Sequence, residues 1–448
     1  MRYLPLSEKD REEMLAKIGA SSIDDLFKDV PKAALVKDNT HTAIDLPFGL
    51  SEIEVSKELS KMAAKNLCLC KASSFLGAGA YHHHTPAALD YLIQRGEFLT
   101  AYTPYQPEVS QGTLQVLYEF QTQVAAITGM EIANASMYDG ATACAEAIAM
   151  ACRITKKTKA VVSGNLHPHY IETSTTFVKH IGISFDIGKP FETKVDLLSK
   201  IKADTACVVV AYPDFLGSLE DYTDVAAKCH EVGALLIGVF TEPLAFGYIK
   251  TLGSMGADVV VGEGLSLCAG LSFGAPGVGL FATLKKYMRH IPGRIVGQTK
   301  DADGKRGFVL TLATREQHIR REKATSNICS NSGLMATAFS IHMTMLGEKG
   351  YYELAKLNHK LTSYLVSKLK SLANLKVLNK SFFNEIAVEL SKPAEEAVAN
   401  LLDKDIFAGV PLSRFYKEES LENVLLIAVT EMNSEEEIDN FVSKLERL

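Results

Sequence analysis

Between residues 160 and 282 the chain alternates short β-rich runs with amphipathic segments, and this alternation restricts its fold more than any other feature. The runs are Ala160 to Ser163, Ile183 to Ile187, Ala206 to Tyr212, Ala234 to Phe240, Ala257 to Val261 and Val278 to Ala282. Segments such as Thr223 to Val232 separate them. Runs this apolar suit strands buried on both faces, and strand–helix alternation implies a mainly parallel sheet with right-handed crossovers. Ligands in such sheets bind beyond the carboxyl ends of the strands, so those turns are where function is expected.

The flanking regions read differently. Ser7 is positioned to cap a helix running to Lys17 and Ser22 a second one through Phe27, before Pro31 interrupts. With the amphipathic stretch Glu52 to Leu67 this forms an N-terminal helical arm, residues 1–60. A loop-rich block from Ser73 to Gln111 holds three consecutive histidines and Tyr102, Pro104, Tyr105 and Pro107. Loops of that length are usually functional or disordered, and this one is too aromatic for disorder. A helix follows, with Ser110 as its expected cap and Gly129 as its stop. The α/β region spans 61–330, and after Asn331 two long helical stretches and shorter strands indicate a small C-terminal α+β domain, 331–448. The length of 448 residues fits two or three units at roughly 150 residues each.

Charge excludes some classes of partner. Lys plus Arg is 47 against Asp plus Glu 53, a formal net charge of -6, so no overall basic surface exists to neutralise a phosphate backbone and nucleic acid is not expected. The charged run Glu8 to Glu13 stands where a signal peptide needs apolar residues, and no apolar stretch approaches the ~20 residues of a spanning helix. Eight scattered cysteines in a large chain indicate a reducing cytoplasm.

Four constellations could carry chemistry. Tyr138 to Ala143 precedes a small-residue helix, Ala145 to Ala151, and aims backbone N–H groups at whatever lies before it, either an anion or simply a closely packed turn. His82, His83 and His84 point in different directions and lack spaced partners, so no metal is expected. Cys68 and Cys70 lack redox spacing and read as buried or half-buried thiols. Thr314 to Lys323 carries four cations and two glutamates on an expected helix, either a solvated face or an arginine clamp for a carboxylate.

Three stretches together resemble the glycine decarboxylase P-protein of the glycine cleavage system: Phe98 to Gly112, Asn134 to Gly140 and Arg315 to Cys329. The length and arm resemble more narrowly the first subunit of its two-subunit bacterial form. The resemblance implies the aspartate-aminotransferase-like fold (PLP fold type I). It also implies a reaction in which glycine loses its carboxylate as carbon dioxide and its aminomethyl group passes to the oxidised lipoyl arm of H-protein.

A pyridoxal enzyme needs a Schiff-base lysine and an acid facing the pyridinium nitrogen. In catalytic family members the acid follows the strand that here is Ala234 to Phe240, yet this chain reads Ile237, Gly238, Val239, Phe240, Thr241. Gly238 is taken as the acid position, and Leu265 and Ser266 stand where the lysine is expected. Glu242 as a shifted acid would restore no lysine, and Lys228 and Lys250 lie at the wrong places.

The resemblance therefore implies a chain that binds no pyridoxal phosphate covalently. Its partners would be a cofactor-bearing subunit 2 in a heterotetramer, lipoylated H-protein and glycine as substrate, without nucleic acid or membrane. Tyr102, Tyr105, Glu108 and His83 are the candidates for reaching a shared site, with Arg315, Arg320, Lys323 and Asn327 as structural or carboxylate-facing groups. The rivals are a self-sufficient pyridoxal decarboxylase or aminotransferase using Lys250 or Lys323, and a purely structural or regulatory subunit.

Overall fold

Complete burial of consecutive strand residues organises the fold. Every residue of Thr205–Ala211 and Leu235–Phe240 is buried, which requires cover on both faces of the sheet. The architecture comes from a computed structural model that describes residues 6–34, 49–271, 273–274, 276–329 and 332–447. Residues 1–5 and 35–48 of the expected arm, and the boundary residue Asn331, lie outside the described residues.

The chain divides into two compact units, residues 1–66 and 67–448. In the first, helix α1 (Glu8–Ile18) opens on Ser7 with a reciprocal capping box to Asp10 and stops at left-handed Gly19. Helix α2 (Glu52–Ala63) opens on Ser51 and Glu54 in the same way. The helix expected after Ser22 is a single 3-10 turn, Asp24–Phe27, because the side chain of Asp25 accepts from the backbone of Ser21 and Ser22 and tightens the chain into a local turn.

The second unit is built on a seven-stranded sheet. In chain order the strands are β1 (Ile132–Ala133), β2 (Lys159–Val162), β3 (Ser184–Ile187), β4 (Thr205–Ala211), β5 (Leu235–Phe240), β6 (Val259–Glu263) and β7 (Gly279–Thr283). Their spatial order is β1-β7-β6-β5-β4-β2-β3. β3, β2, β4, β5 and β6 run parallel, and β7 is antiparallel to both neighbours. Side-chain alternation divides the core. Val208, Val210, Leu236 and Val260 pack toward helix α3 (Gln111–Thr128), whereas Cys207, Val209, Ile237, Val239 and Val261 pack with helix α4 (Gly140–Thr155).

A second sheet of four antiparallel strands has the order Leu375–Val377, Glu385–Leu390, Val424–Ala428, Val410–Pro411. Helix Glu435–Glu446 packs on it, with Ile438, Phe441 and Leu445 buried. The span α5 (Gly333–Leu369) holds the two expected helical segments, which meet at a kink where Gly347 at φ 59 leaves helical geometry.

Three local expectations need correction. Ser110 makes no side-chain cap. Gln111 instead ties the start of α3, donating to the carbonyls of Pro107 and Phe308 and accepting from Phe308 N–H. The block before α3 is not all loop, since Ala87–Ile93 and Gly96–Leu99 are helical. The arginine-rich segment is no continuous helix: Ala313–Arg315, Gln317–Arg320 and Arg321–Lys323 are short turns, broken by positive φ at Leu312 and Arg321.

Candidate functional site

The carboxyl ends of β5 and β6 meet the four-stranded sheet at a cluster of buried acids. Glu242, two residues past β5, is 1% exposed. One oxygen accepts from Leu244 N–H at 3.0 Å and so caps the turn Pro243–Gly247. The other lies 2.7 Å from His83 Nε2, 3.3 Å from Asn384 Nδ2 and 3.4 Å from Ser266 Oγ. His83 Nδ1 is 2.9 Å from Glu431, which also accepts from His84 N–H and Asn358.

Burial alone would depress the His83 pKa. A carboxylate on each ring nitrogen reverses this and holds the imidazolium up to about 10. Burial opposes ionisation of Glu431 too, and the bond to His83 overcomes it, bringing that acid down to about 2. His83 is thus a fixed cation between two anions, unsuited to act as a base near neutral pH.

Beside it, Glu385 accepts from Ala78 N–H at 2.6 Å and from Tyr81 O–H at 2.8 Å. Burial pushes its carboxyl up to about 7, against those two bonds and with repulsion from Glu242 added. His167 Nε2 sits 2.9 Å from the Ala78 carbonyl and its Nδ1 accepts from His169 N–H, which fixes the Nε2–H tautomer. Burial lowers its pKa to about 4, so this ring is neutral.

The N-terminus of α4 is the second feature. Asp139 caps it, accepting from Thr142 N–H at 2.7 Å. Gly140 is required by close approach, since a Cβ there would lie 2.8 Å from the Glu263 nitrogen and 2.9 Å from the Gly262 carbonyl carbon. Its N–H donates to Glu263 Oε2 at 3.0 Å. Glu263 Oε1 accepts from Gly264, Leu265 and Val278 N–H at 3.0, 3.1 and 2.9 Å. One carboxylate therefore occupies a cradle of four backbone donors of the kind that elsewhere holds a free anion. Burial raises the Glu263 pKa to about 7 despite those donors, and Asp139 adds repulsion.

These residues do not fit a phosphorylated aldehyde cofactor. The anion cradle is filled by the chain's own Glu263, and at the expected lysine position Ser266 faces Glu242. Gly238 lies within β5, where Leu252 Cδ1 stands 2.7 Å from the place a Cβ would take. Lys250 is on the surface against Asp221 at 3.3 Å, and Lys323 is exposed.

The other candidates are dispersed. Tyr102 and Tyr105 are 68% and 74% exposed, their rings 6.3 Å apart, on a loop anchored by buried Pro104. Glu108 is exposed beside them, and a small cleft behind them is lined by Phe98, Leu117, Arg294 and Leu334. Arg315 is buried and donates to the carbonyls of Ile291 and Gly293, the latter at 2.6 Å, so it clamps backbone. Arg320 and Asn327 are exposed. The structure joins His83 to Glu242 but leaves the tyrosines and the arginine segment apart from that pair.

Sequence reading missed Glu263, Glu385 and Glu431 as members of the cluster. Only Glu263 carried a local signal, an acid between glycines at a strand end facing the turn before α4. Among the described residues no group of three or more His, Cys, Asp or Glu is placed to hold a metal ion, and no helix is long and apolar enough to cross a membrane.

The sheet order, the two-faced core and the second sheet define the class as the PLP fold type I, aspartate-aminotransferase-like architecture. Sphingosine-1-phosphate lyase of Burkholderia pseudomallei shares it at TM-score 0.65 and 14% identity over 92% of this chain and 94% of that one, a likeness of fold alone. Closer matches are specific. The family model for the glycine cleavage system P-protein matches residues 1–445, and the chain belongs to that family. The probable glycine dehydrogenase (decarboxylating) subunit 1 of Erythrobacter litoralis is 55% identical over 100% of both chains. The inhibitor-bound crystal structure of glycine decarboxylase (P-protein) of the glycine cleavage system superposes at TM-score 0.88, with 40% identity over 100% of both chains.

Proposed function

We propose that this chain is the cofactor-free subunit of a two-subunit glycine decarboxylase, completing a site in which glycine is decarboxylated and its aminomethyl group passes to the lipoyl arm of H-protein. The observation that carries the reading is the self-filled site, with Glu263 in the anion cradle and Ser266 at the expected lysine position, inside a chain that matches subunit 1 relatives from end to end. Pyridoxal phosphate then belongs to the partner subunit, in a cytoplasmic heterotetramer.

Tyr102, Tyr105 and Glu108 supply exposed phenol and carboxylate groups beyond this chain's own sheet, with Arg320, Lys323 and Asn327 as further exposed polar groups. Prolines at 104 and 107 restrict the loop, so ordering it against a partner costs little entropy. The interface should bury well over ~2,000 Å², as obligate pairs do.

The test is purification of the chain alone and with subunit 2, followed by borohydride reduction, an absorption spectrum and a glycine decarboxylation assay. The expected result is a tight heteromer, activity only in the pair, and pyridoxyl-lysine only in subunit 2. A stoichiometric pyridoxyl-lysine peptide from this chain would refute the reading. A heteromer whose activity ignores every substitution in the tyrosine loop would reduce the chain to a structural subunit.

A further inference from the structure

Five of the eight cysteines, Cys144, Cys152, Cys207, Cys229 and Cys268, are buried. Cys68 and Cys70, expected to be buried or half-buried, are instead both exposed, and their Sγ atoms lie 2.8 Å apart. The backbone brings them together. Lys71 N–H donates to the Cys68 carbonyl at 2.9 Å and closes a turn across the pair. Cys70 N–H points at Cys68 Sγ at 3.4 Å. Residues two apart have Cα atoms within about 7.6 Å even when extended, and a turn brings them inside the range a disulfide spans.

We propose that Cys68 and Cys70 form a reversible dithiol–disulfide site that reacts with linear small-molecule disulfides. The two sulfurs have unequal surroundings. The Cys70 thiol and backbone N–H both point to Cys68 Sγ and, with Lys71 beside it, favour its thiolate, while accepting a bond from Cys70 is what that thiolate does best. Cys70, the donor, has its pKa raised.

Cys68 thiolate attacks one sulfur of the reagent, forming a mixed disulfide and expelling one thiolate, which takes up the proton Cys68 released to water. Cys70 then loses its proton, attacks Cys68 Sγ, breaks the mixed disulfide and expels the second thiolate, which is protonated in turn. The protein loses two thiol hydrogens and gains one S–S bond, and the reagent disulfide is reduced to two thiols. The closed ring joins residues at the very start of the second unit, immediately after the boundary at 66 and 67.

The full chain is treated with oxidised glutathione, acid-quenched, alkylated, and read by intact mass and peptide mapping. The wild type should become two hydrogens lighter, with the link mapped between 68 and 70 and no lasting glutathione adduct. Cys70→Ser should trap glutathione on Cys68, with a lifetime longer by at least about 100-fold because the resolving thiol is no longer held at high effective concentration. Cys68→Ser should react more slowly than Cys70→Ser at the same pH. Both residues are exposed, so both variants should fold as the wild type does, and a matched circular dichroism spectrum checks this. A wild type that accumulates stable glutathione adducts, that stays fully reduced while Cys70→Ser reacts, or whose link maps to other cysteines would overturn the proposal.

Discussion

Glu263→Ala is the perturbation that most directly probes the filled cradle. The wild-type carboxylate accepts from Gly140, Gly264, Leu265 and Val278 N–H at 2.9 to 3.1 Å, and among the described residues Gly264 alone of the four keeps a second acceptor, the Val278 carbonyl at 2.9 Å. A buried donor left unpaired costs about 1–3 kcal/mol, and water entering the space satisfies part of the set, so a loss of roughly 2–4 kcal/mol is expected in buffer without oxyanions. The vacated cradle should then bind inorganic phosphate at the helix terminus. Phosphate at 100 times its dissociation constant would return about 2.7 kcal/mol, most of the loss. The assay is thermal unfolding of the full chain at fixed ionic strength, with phosphate titrated against chloride. The variant's midpoint should rise with phosphate and the wild type's should stay flat. A folded variant indifferent to phosphate, or a wild type that responds equally, would refute the assignment of Glu263 as the resident anion.

Other outcomes follow from the same geometry. Asp214, buried three residues past β4 and accepting from Leu216 and Ser218 N–H, has a carboxyl pushed up to about 7, as Glu263 and Glu385 do, with burial as the leading cause in each. A raised folded-state pKa means stability that is present below the unfolded value and lost as pH rises through about 7; Glu263→Gln should therefore flatten that decline by at most about 1.4 kcal/mol per pH unit, measured by urea unfolding between pH 5 and 8. His83→Ala leaves Glu242 and Glu431 facing each other without their cation and should cost about 3–5 kcal/mol at neutral pH. That contribution should be lost progressively as pH rises from the free histidine value of 6.5 to about 10, and as it falls from the free glutamate value of 4.5 to about 2. Tyr105→Phe, at a 74% exposed ring, should change stability by less than about 0.5 kcal/mol; lowered turnover in the reconstituted heteromer with assembly intact would place its hydroxyl at the shared site, and unchanged turnover would remove it.

Much of the fold is legible because buried strands declare themselves. Each of the six apolar runs contains or overlaps a strand, and Gly129 ends α3 in the left-handed conformation its position implied. The site was less legible for a physical reason. His83 looked like one of three directionless histidines because its partners stand 159 and 348 residues away, and only the folded sheets bring them within 3 Å. Arg315 stays undecided in the sequence between a structural and a carboxylate-facing role because nothing local shows that two carbonyls at 291 and 293 converge on it. The thiols at 68 and 70 were expected to be at least half-buried, but both are exposed, and a turn brings their Sγ atoms to 2.8 Å.

The acids at the strand ends repel one another in two groups, Glu242 with Glu385 and Asp214, and Asp139 with Glu263. Glu242 raises the pKa of Glu385, Glu385 that of Asp214, and Asp139 that of Glu263, so each carboxylate meets repulsion from a neighbour as well as desolvation. Among the described residues His83 is the one cation paired with Glu242, and it is already shared with Glu431. Any further anion brought to this end of the sheet must therefore displace Glu263 from its donors or add charge to a region already short of cations. Cradle and ion pair oppose an incoming phosphate by separate means, one by occupancy and one by charge. Their contributions can be separated: Glu263→Ala alone should admit phosphate weakly, and adding Glu242→Gln should strengthen binding further while His83 remains paired with Glu431. Equal phosphate affinity in the single and double variants would show that occupancy of the cradle is the whole barrier.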